Sequence, residues 1–233
     1  MNKKVIGVAI PYYKNSEECE IEFKKLMECI AEQLINPRVA DNIVVYIYED
    51  GQFSNWLWEY ATKAPNIIKI KSVAKNKGVS VARNYLLDQL IDKVEYILFL
   101  DSDDMIDKNY LRVMYEYCAD MTHEVIEPTF QENKTENKYI PTLIRCGVAG
   151  EAIKTSIIGD TRFDEERQIA EDCDFSHTVI DLEKHRKRHA KTKYYYQLGA
   201  NHNSLTMKYK RNEIGERRTN GKWNNKSTAT SKV

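Results

Sequence analysis

The chain has 233 residues, 42% of them hydrophobic and 30% charged, which suits one large α/β domain or one domain with a short appendage and excludes a disordered chain. No apolar run approaches the roughly 20 residues needed to cross a bilayer, and Met1-Asn2-Lys3-Lys4 leads into a short strand without a small-residue cleavage site, so neither a membrane span nor secretion is expected. The net charge of zero hides an uneven division: from Lys184 onward 14 Lys/Arg face two acids, a balance of +12, and the rest of the chain carries −12, which points toward an anionic partner or a solubilising basic end.

In chain order, Val5 to Ile10 is a continuous apolar run closed by Pro11, as in a buried parallel strand. Asn15, three residues before Glu18, resembles a capping box. Phe23, Leu26, Met27, Ile30 and Leu34 then keep helical spacing up to Pro37. Ile43 to Tyr48 predicts a second strand ending in the turn Glu49-Asp50-Gly51, and Ile67 to Val73 a third. A helix is predicted from about Gly78 to Ile91, with Ala82, Leu86 and Leu90 four apart. The fourth strand, Tyr96 to Leu100, carries Asp101-Ser102-Asp103-Asp104 at its carboxyl end, ahead of a helix starting near Asp107. This alternation predicts a mostly parallel α/β sheet whose ligands bind at the carboxyl ends of strands.

The back half is less regular. Glu124 to Phe130 and Ile140 to Cys146 read as strands, Asp174 to His189 as a helix with Phe175, Val179 and Leu182 on one face, and Tyr194 to Leu198 as a late strand. Beyond about Met207 little remains to bury, and a mobile tail is expected. The five cysteines, Cys19, Cys29, Cys118, Cys146 and Cys173, form no CxxC pair; free or buried thiols in a reducing compartment, the cytoplasm, are expected.

If the chain stays extended past Leu100, Asp101 and Asp103 point the same way, because strand side chains repeat every two residues. Two carboxylates aimed into one crevice suit Mg²⁺ or Mn²⁺ held together with phosphate oxygens; the plainer alternative is an acidic turn capping the next helix. His185 and His189 have the spacing of helical metal ligands, but Arg186-Lys187-Arg188 between them opposes a cation and nothing completes a zinc set. No P-loop, GxGxxG or GxSxG is present.

Four blocks in order resemble the family-two inverting glycosyltransferases of the GT-A fold: Val8 through Asn15, Glu49-Asp50-Gly51, Asn76-Lys77-Gly78 through Ala82-Arg83-Asn84, and Asp101-Ser102-Asp103-Asp104. The resemblance implies a GT-A-like Rossmann-type sheet flanked by helices with a smaller mixed acceptor-side region. The four blocks span roughly the first 110 residues, and the domain is expected to cover about residues 1–206, with a basic tail at 207–233. It implies that Pro11 and Tyr12 shape the base and ribose pocket, that Asp50 bonds the pyrimidine, and that Gly78 belongs to the nucleotide segment. Arg83 would lie over the nucleotide against the diphosphate, Asp101 would contact ribose or sugar, and Asp103 would ligate the metal. Glu49 stands where the family more often has Asp. A later acidic pair, Glu171-Asp172, resembles the one that supplies the base: an acceptor hydroxyl is a poor nucleophile, and Asp172 would take its proton, with Glu171 as deputy. Helix capping is the alternative for Asp172. By the same resemblance His202 would complete the metal shell or touch the diphosphate.

The implied activity is metal-dependent transfer of one sugar from a nucleoside diphosphate, UDP first, to an acceptor hydroxyl. No QxxRW-like motif of processive synthases is present. The acceptor is expected to be anionic: DNA, a cell-wall polymer or a lipid-linked phosphate. The rivals are a nucleic-acid-binding protein on a catalytically idle GT-A scaffold and a sugar-phosphate nucleotidyltransferase, which would want a glycine-rich loop where Pro11-Tyr12-Tyr13-Lys14 has none.

Overall fold

The structure, a computed structural model, describes residues 3–132, 147–167 and 169–196. The front half follows the predicted alternation: β1 (Lys4–Tyr12), α1 (Glu17–Leu34), α2 (Pro37–Ala40), β2 (Ile43–Asp50), α3 (Asn55–Lys63), β3 (Ile68–Val73), α4 (Val79–Leu90) and β4 (Val94–Phe99). The back half adds β5 (Met105–Ile106), α5 (Tyr110–Cys118), β6 (Val125–Glu132), β7 (Ala152–Lys154), α6 (Thr155–Ile158), α7 (Glu171–Val179) and β8 (Lys187–Tyr196). The strands form one sheet in the order β3-β2-β1-β4-β7-β6-β8-β5. β3, β2, β1 and β4 are parallel, and β7 joins β4 antiparallel to open a mixed half.

Both faces of β1, β2 and β4 are covered, which is why these strands read as largely apolar runs, whereas the edge strand β3 alternates. On one face Ile6, Val8 and Ile10 of β1 meet Phe23, Leu26, Met27 and Ile30 of α1. On the other, Ala9, Val44 and Phe99 meet Leu86 and Leu90 of α4. Strand parity therefore sends Glu49 toward the α1 face and Asp50 toward the α4 face. Ser16, not Asn15, caps α1, its Oγ accepting the Cys19 amide at 3.3 Å; Glu17, Glu18 and Glu20 in the first turn suit the helix dipole.

The back half departs from the expectation. α7 stops at Val179, where the predicted helix ran on to His189. A turn on Asp181 follows: its carbonyl accepts the amides of Lys184 and His185, and its carboxylate accepts that of Glu183. Beyond it Ala190, Thr192 and Tyr194 are buried while His189, Lys191 and Lys193 face solvent, a period of two that makes this basic stretch a strand. His185 and His189 thus lie in a turn and a strand and share no helix face. α3 has no counterpart among the expected elements; Leu57 is its one fully buried residue, and Trp56 packs against Tyr12 and Phe23.

Cys19, Cys29 and Cys118 are free thiols, but Cys173 is disulfide-bonded, against the expectation of thiols throughout. The strand expected at Ile140 to Cys146, the end of the late strand at Leu198, His202 and the tail from 207 lie outside the described residues. Among the described residues no helix is long and apolar enough to cross a membrane.

Candidate active site

The chain leaves β1 for β2 on one side and later returns to β4 on the other, so a crevice opens at the carboxyl ends of β1 and β4, where open α/β sheets bind ligands. The sequence clusters converge here. At the end of β2, Asp50 is 3% exposed, and its carboxylate accepts the amides of Lys77 (2.8 and 3.0 Å) and Gly78 (2.8 Å). It clamps the loop that opens α4. Gly78 holds φ +97, a backbone state that L side chains rarely adopt, with open space where a Cβ would stand.

Pro11 is half-buried at the strand end, but Tyr12 does not line an open pocket. It is 1% exposed, with ring centroids 4.2 Å from Phe23 and 6.4 Å from Trp56. The aromatic ring available at this edge is that of Tyr13, 46% exposed. The Lys14 amide donates to Gln52 Oε1 at 2.8 Å, tying the Tyr13–Lys14 turn to the loop after Asp50.

After β4 the chain turns at once, the Asp104 amide donating to the Asp101 carbonyl at 3.2 Å, so the extended geometry expected for Asp101 and Asp103 does not hold. The turn sorts the three acids. Asp104 is buried and accepts the Tyr194 hydroxyl at 2.6 Å, and that hydroxyl accepts the Asp101 amide at 3.2 Å. Asp101 accepts from Arg83 Nη2 at 2.9 Å. Burial pushes the Asp103 carboxyl up to about 7, with the neighbouring charges of Asp101 and, on α1, Glu22 acting in the same direction.

Arg83 is buried, 4% exposed. Its Nη1 donates to Glu171 at 2.7 Å and its Nη2 to Asp101, so one guanidinium joins the end of β4 to the head of α7. Burial disfavours its charge, but Asp101 and Glu171 outweigh that and hold its pKa above the ordinary arginine value. Next to it, Asn84 exchanges amide hydrogen bonds with the backbone of Phe163 (3.0 and 2.8 Å). Phe163 stacks on Phe175 of α7 at 4.0 Å, and both rings meet Phe99 of β4 edge-on. Removing Arg83 strands two carboxylates, so Arg83→Met is expected to cost about 3–5 kcal/mol in urea unfolding, with Arg83→Lys recovering only part because an ammonium lacks the two-ended fork.

Glu171 and Asp172 stand at the first two positions of α7, entered through Ala170 at φ +58. Glu171 is taken up by Arg83. Asp172 Oδ1 accepts the Cys173 amide at 2.9 Å, and Oδ2 lies against Gly147. Burial raises the pKa of both acids; the Arg83 charge opposes it, more weakly. Among the described residues no three His, Cys, Asp or Glu side chains form a ready-made metal cage.

A parallel half that meets a mixed half, an acidic turn at the switch point and a carboxylate pair heading a helix, joined to that turn through Arg83, are the arrangement of the GT-A class of α/β domain. The profile described as Glycosyl transferase family 2 matches residues 8–188, and the chain belongs to that family. The minor teichoic acid biosynthesis protein GgaA of Bacillus subtilis (strain 168) is 27% identical over 224 residues, 86% of this chain and 49% of its own. The crystal structure of S. aureus TarS 1-349 in complex with UDP-GlcNAc superposes with a TM-score of 0.63 at 19% identity, over 83% of this chain and 58% of that one. The mannosyltransferase PcManGT from Pyrobaculum calidifontis, in complex with GDP-Man and Mn²⁺, does so with a TM-score of 0.61 at 13% identity, over 84% and 58%. These structures share the fold, and the chain spans about half the length of GgaA.

Proposed function

We propose that this chain is a metal-dependent, inverting glycosyltransferase that moves one sugar from UDP to a hydroxyl of a phosphate-bearing cell-wall polymer. The observation that carries it is the Arg83 bridge, which sets the acidic turn of β4 and the Glu171–Asp172 pair on one crevice. Tyr13, with Pro11, walls the base; Asp50 holds the Lys77–Gly78 loop at its edge and keeps lone pairs for the pyrimidine. Asp101 faces ribose or sugar. Asp103 would hold Mn²⁺ or Mg²⁺, with His202 beyond the described residues as the expected second protein ligand. The fit is chemical: burial and the like charges of Asp101 and Glu22 outweigh Arg83 in raising the Asp103 carboxyl, and such ions are held by one or two carboxylates plus substrate phosphates without a protein cage. When bound, the ion offsets charge on the departing diphosphate. Asp172 takes the acceptor proton as the hydroxyl attacks the anomeric carbon from the face opposite the diphosphate, inverting it.

The polymer acceptor rests on the likeness to GgaA, named for minor teichoic acid, and on the +12 balance from Lys184 onward. We assign residues 1–206 to the catalytic domain and 207–233 to a basic tail. A cytoplasmic site rests on Cys19, Cys29 and Cys118 standing outside any disulfide; the bonded Cys173 argues the other way. Nucleotide release from UDP-, GDP- and TDP-sugars with Mn²⁺ and a polyol-phosphate polymer tests the reading. UDP release with UDP-N-acetylglucosamine or another UDP-sugar is expected; no turnover of any donor returns the chain to an idle scaffold. Deleting residues 208–233 should raise the polymer KM and flatten its salt dependence, since each phosphate contact adds about one unit to the log–log salt slope. Unchanged polymer affinity at low salt reduces the tail to a solubilising end.

A further inference from the structure

Gly147 meets the candidate base at closer range than any side chain could tolerate. It holds φ +130, and a Cβ built on it would stand 2.4 Å from Asp172 Oδ2 and 3.3 Å from its carboxyl carbon. Both backbones are anchored close by. Behind Gly147, Val148 is fully buried and the Gly150 amide donates to the Phe99 carbonyl at 2.7 Å, fastening the segment to β4. Behind Asp172, Glu171 is held by Arg83 and Phe175 is stacked on Phe163. The carboxylate, the far end of a side chain, is the part that yields to an added methyl at least cost.

We propose that Gly147 is a positioning residue for sugar transfer: the missing Cβ is the space in which the Asp172 carboxylate stands. This rests on the reading of Asp172 as the base. The glycine touches no reacting atom; it decides where the proton acceptor is held. Moving the carboxylate by about an ångström costs about a hundredfold in rate, on the scale of misplaced catalytic groups.

The test compares Gly147→Ala, Asp172→Ala and the double variant by thermal melting, UDP-sugar affinity and polymer-transfer kinetics. Gly147→Ala should lower kcat by about ten- to a hundredfold with donor affinity within about twofold, the split expected for a displaced base. Its melting temperature should fall in the wild-type background and fall less beside Asp172→Ala, where the crowded oxygens are gone. If Gly147→Ala does not fold alone, a folded double variant supports the contact. Wild-type kcat in Gly147→Ala, or an equal melting loss in both backgrounds, overturns the proposal, the latter leaving only backbone strain at φ +130. Full transfer by Asp172→Ala would sink the base assignment itself, a result separable from the melting comparison.

Discussion

Asp172→Asn is expected to slow polymer glycosylation by at least about a hundredfold while UDP-sugar affinity stays near wild type, the loss typical of a removed general base. The amide keeps the shape of the side chain and an acceptor for the Cys173 amide, so the helix start survives and the change is confined to basicity. A pH profile adds a second check. The base works ionised, so rate falls as pH falls through its pKa. Burial raises that pKa despite Arg83, which puts the acid limb above the ordinary aspartate range. The Asn variant should lack this limb. A large loss of donor affinity with a modest loss of rate would instead place Asp172 in the nucleotide pocket.

Asp103→Asn should abolish Mn²⁺-stimulated turnover, a loss of about a hundredfold or more, comparable with deleting one electrostatic stabiliser. It should also stabilise the metal-free protein at neutral pH. A carboxyl whose folded pKa is raised to about 7 binds its proton more tightly folded than unfolded, so stability falls as pH climbs from the ordinary aspartate value toward 7. Asparagine removes that penalty. The metal-free variant should therefore melt above wild type near neutral pH, and the gap should shrink in acid. Mn²⁺ should raise the wild-type melting temperature more as pH rises, because the ion must displace the proton. Retained metal-dependent turnover in Asp103→Asn would remove this residue from the metal site.

The front half was legible because each element carries its own period and ends on its own polar cluster. The run ending at Pro11, the helix spacing from Phe23 to Leu34 and the acids after Leu100 are local statements, and local sterics and burial make them come true. The back half was harder for the same reason. Lys187 to Lys193 looks like a charged helix surface until Ala190, Thr192 and Tyr194 are seen facing the core, and their partners lie far away in the chain.

By itself the sequence determined the α/β class, the alternation of the front strands and helices, and the gathering of Asp50, Gly78, Asp101, Asp103 and Asp172 at or near element ends. It could not say which way those groups turn. The tertiary structure alone decided that Tyr12 is core and Tyr13 is exposed, because the packing of Phe23 and Trp56 selects which ring is covered. It alone turned the chain at Asp101, bound Arg83 to Glu171 across 88 residues, and set Asp172 against Gly147. A strand end specifies position along one axis; the direction of a buried charge is settled by the opposite charge it finds, and that partner is brought to it only when the sheet closes.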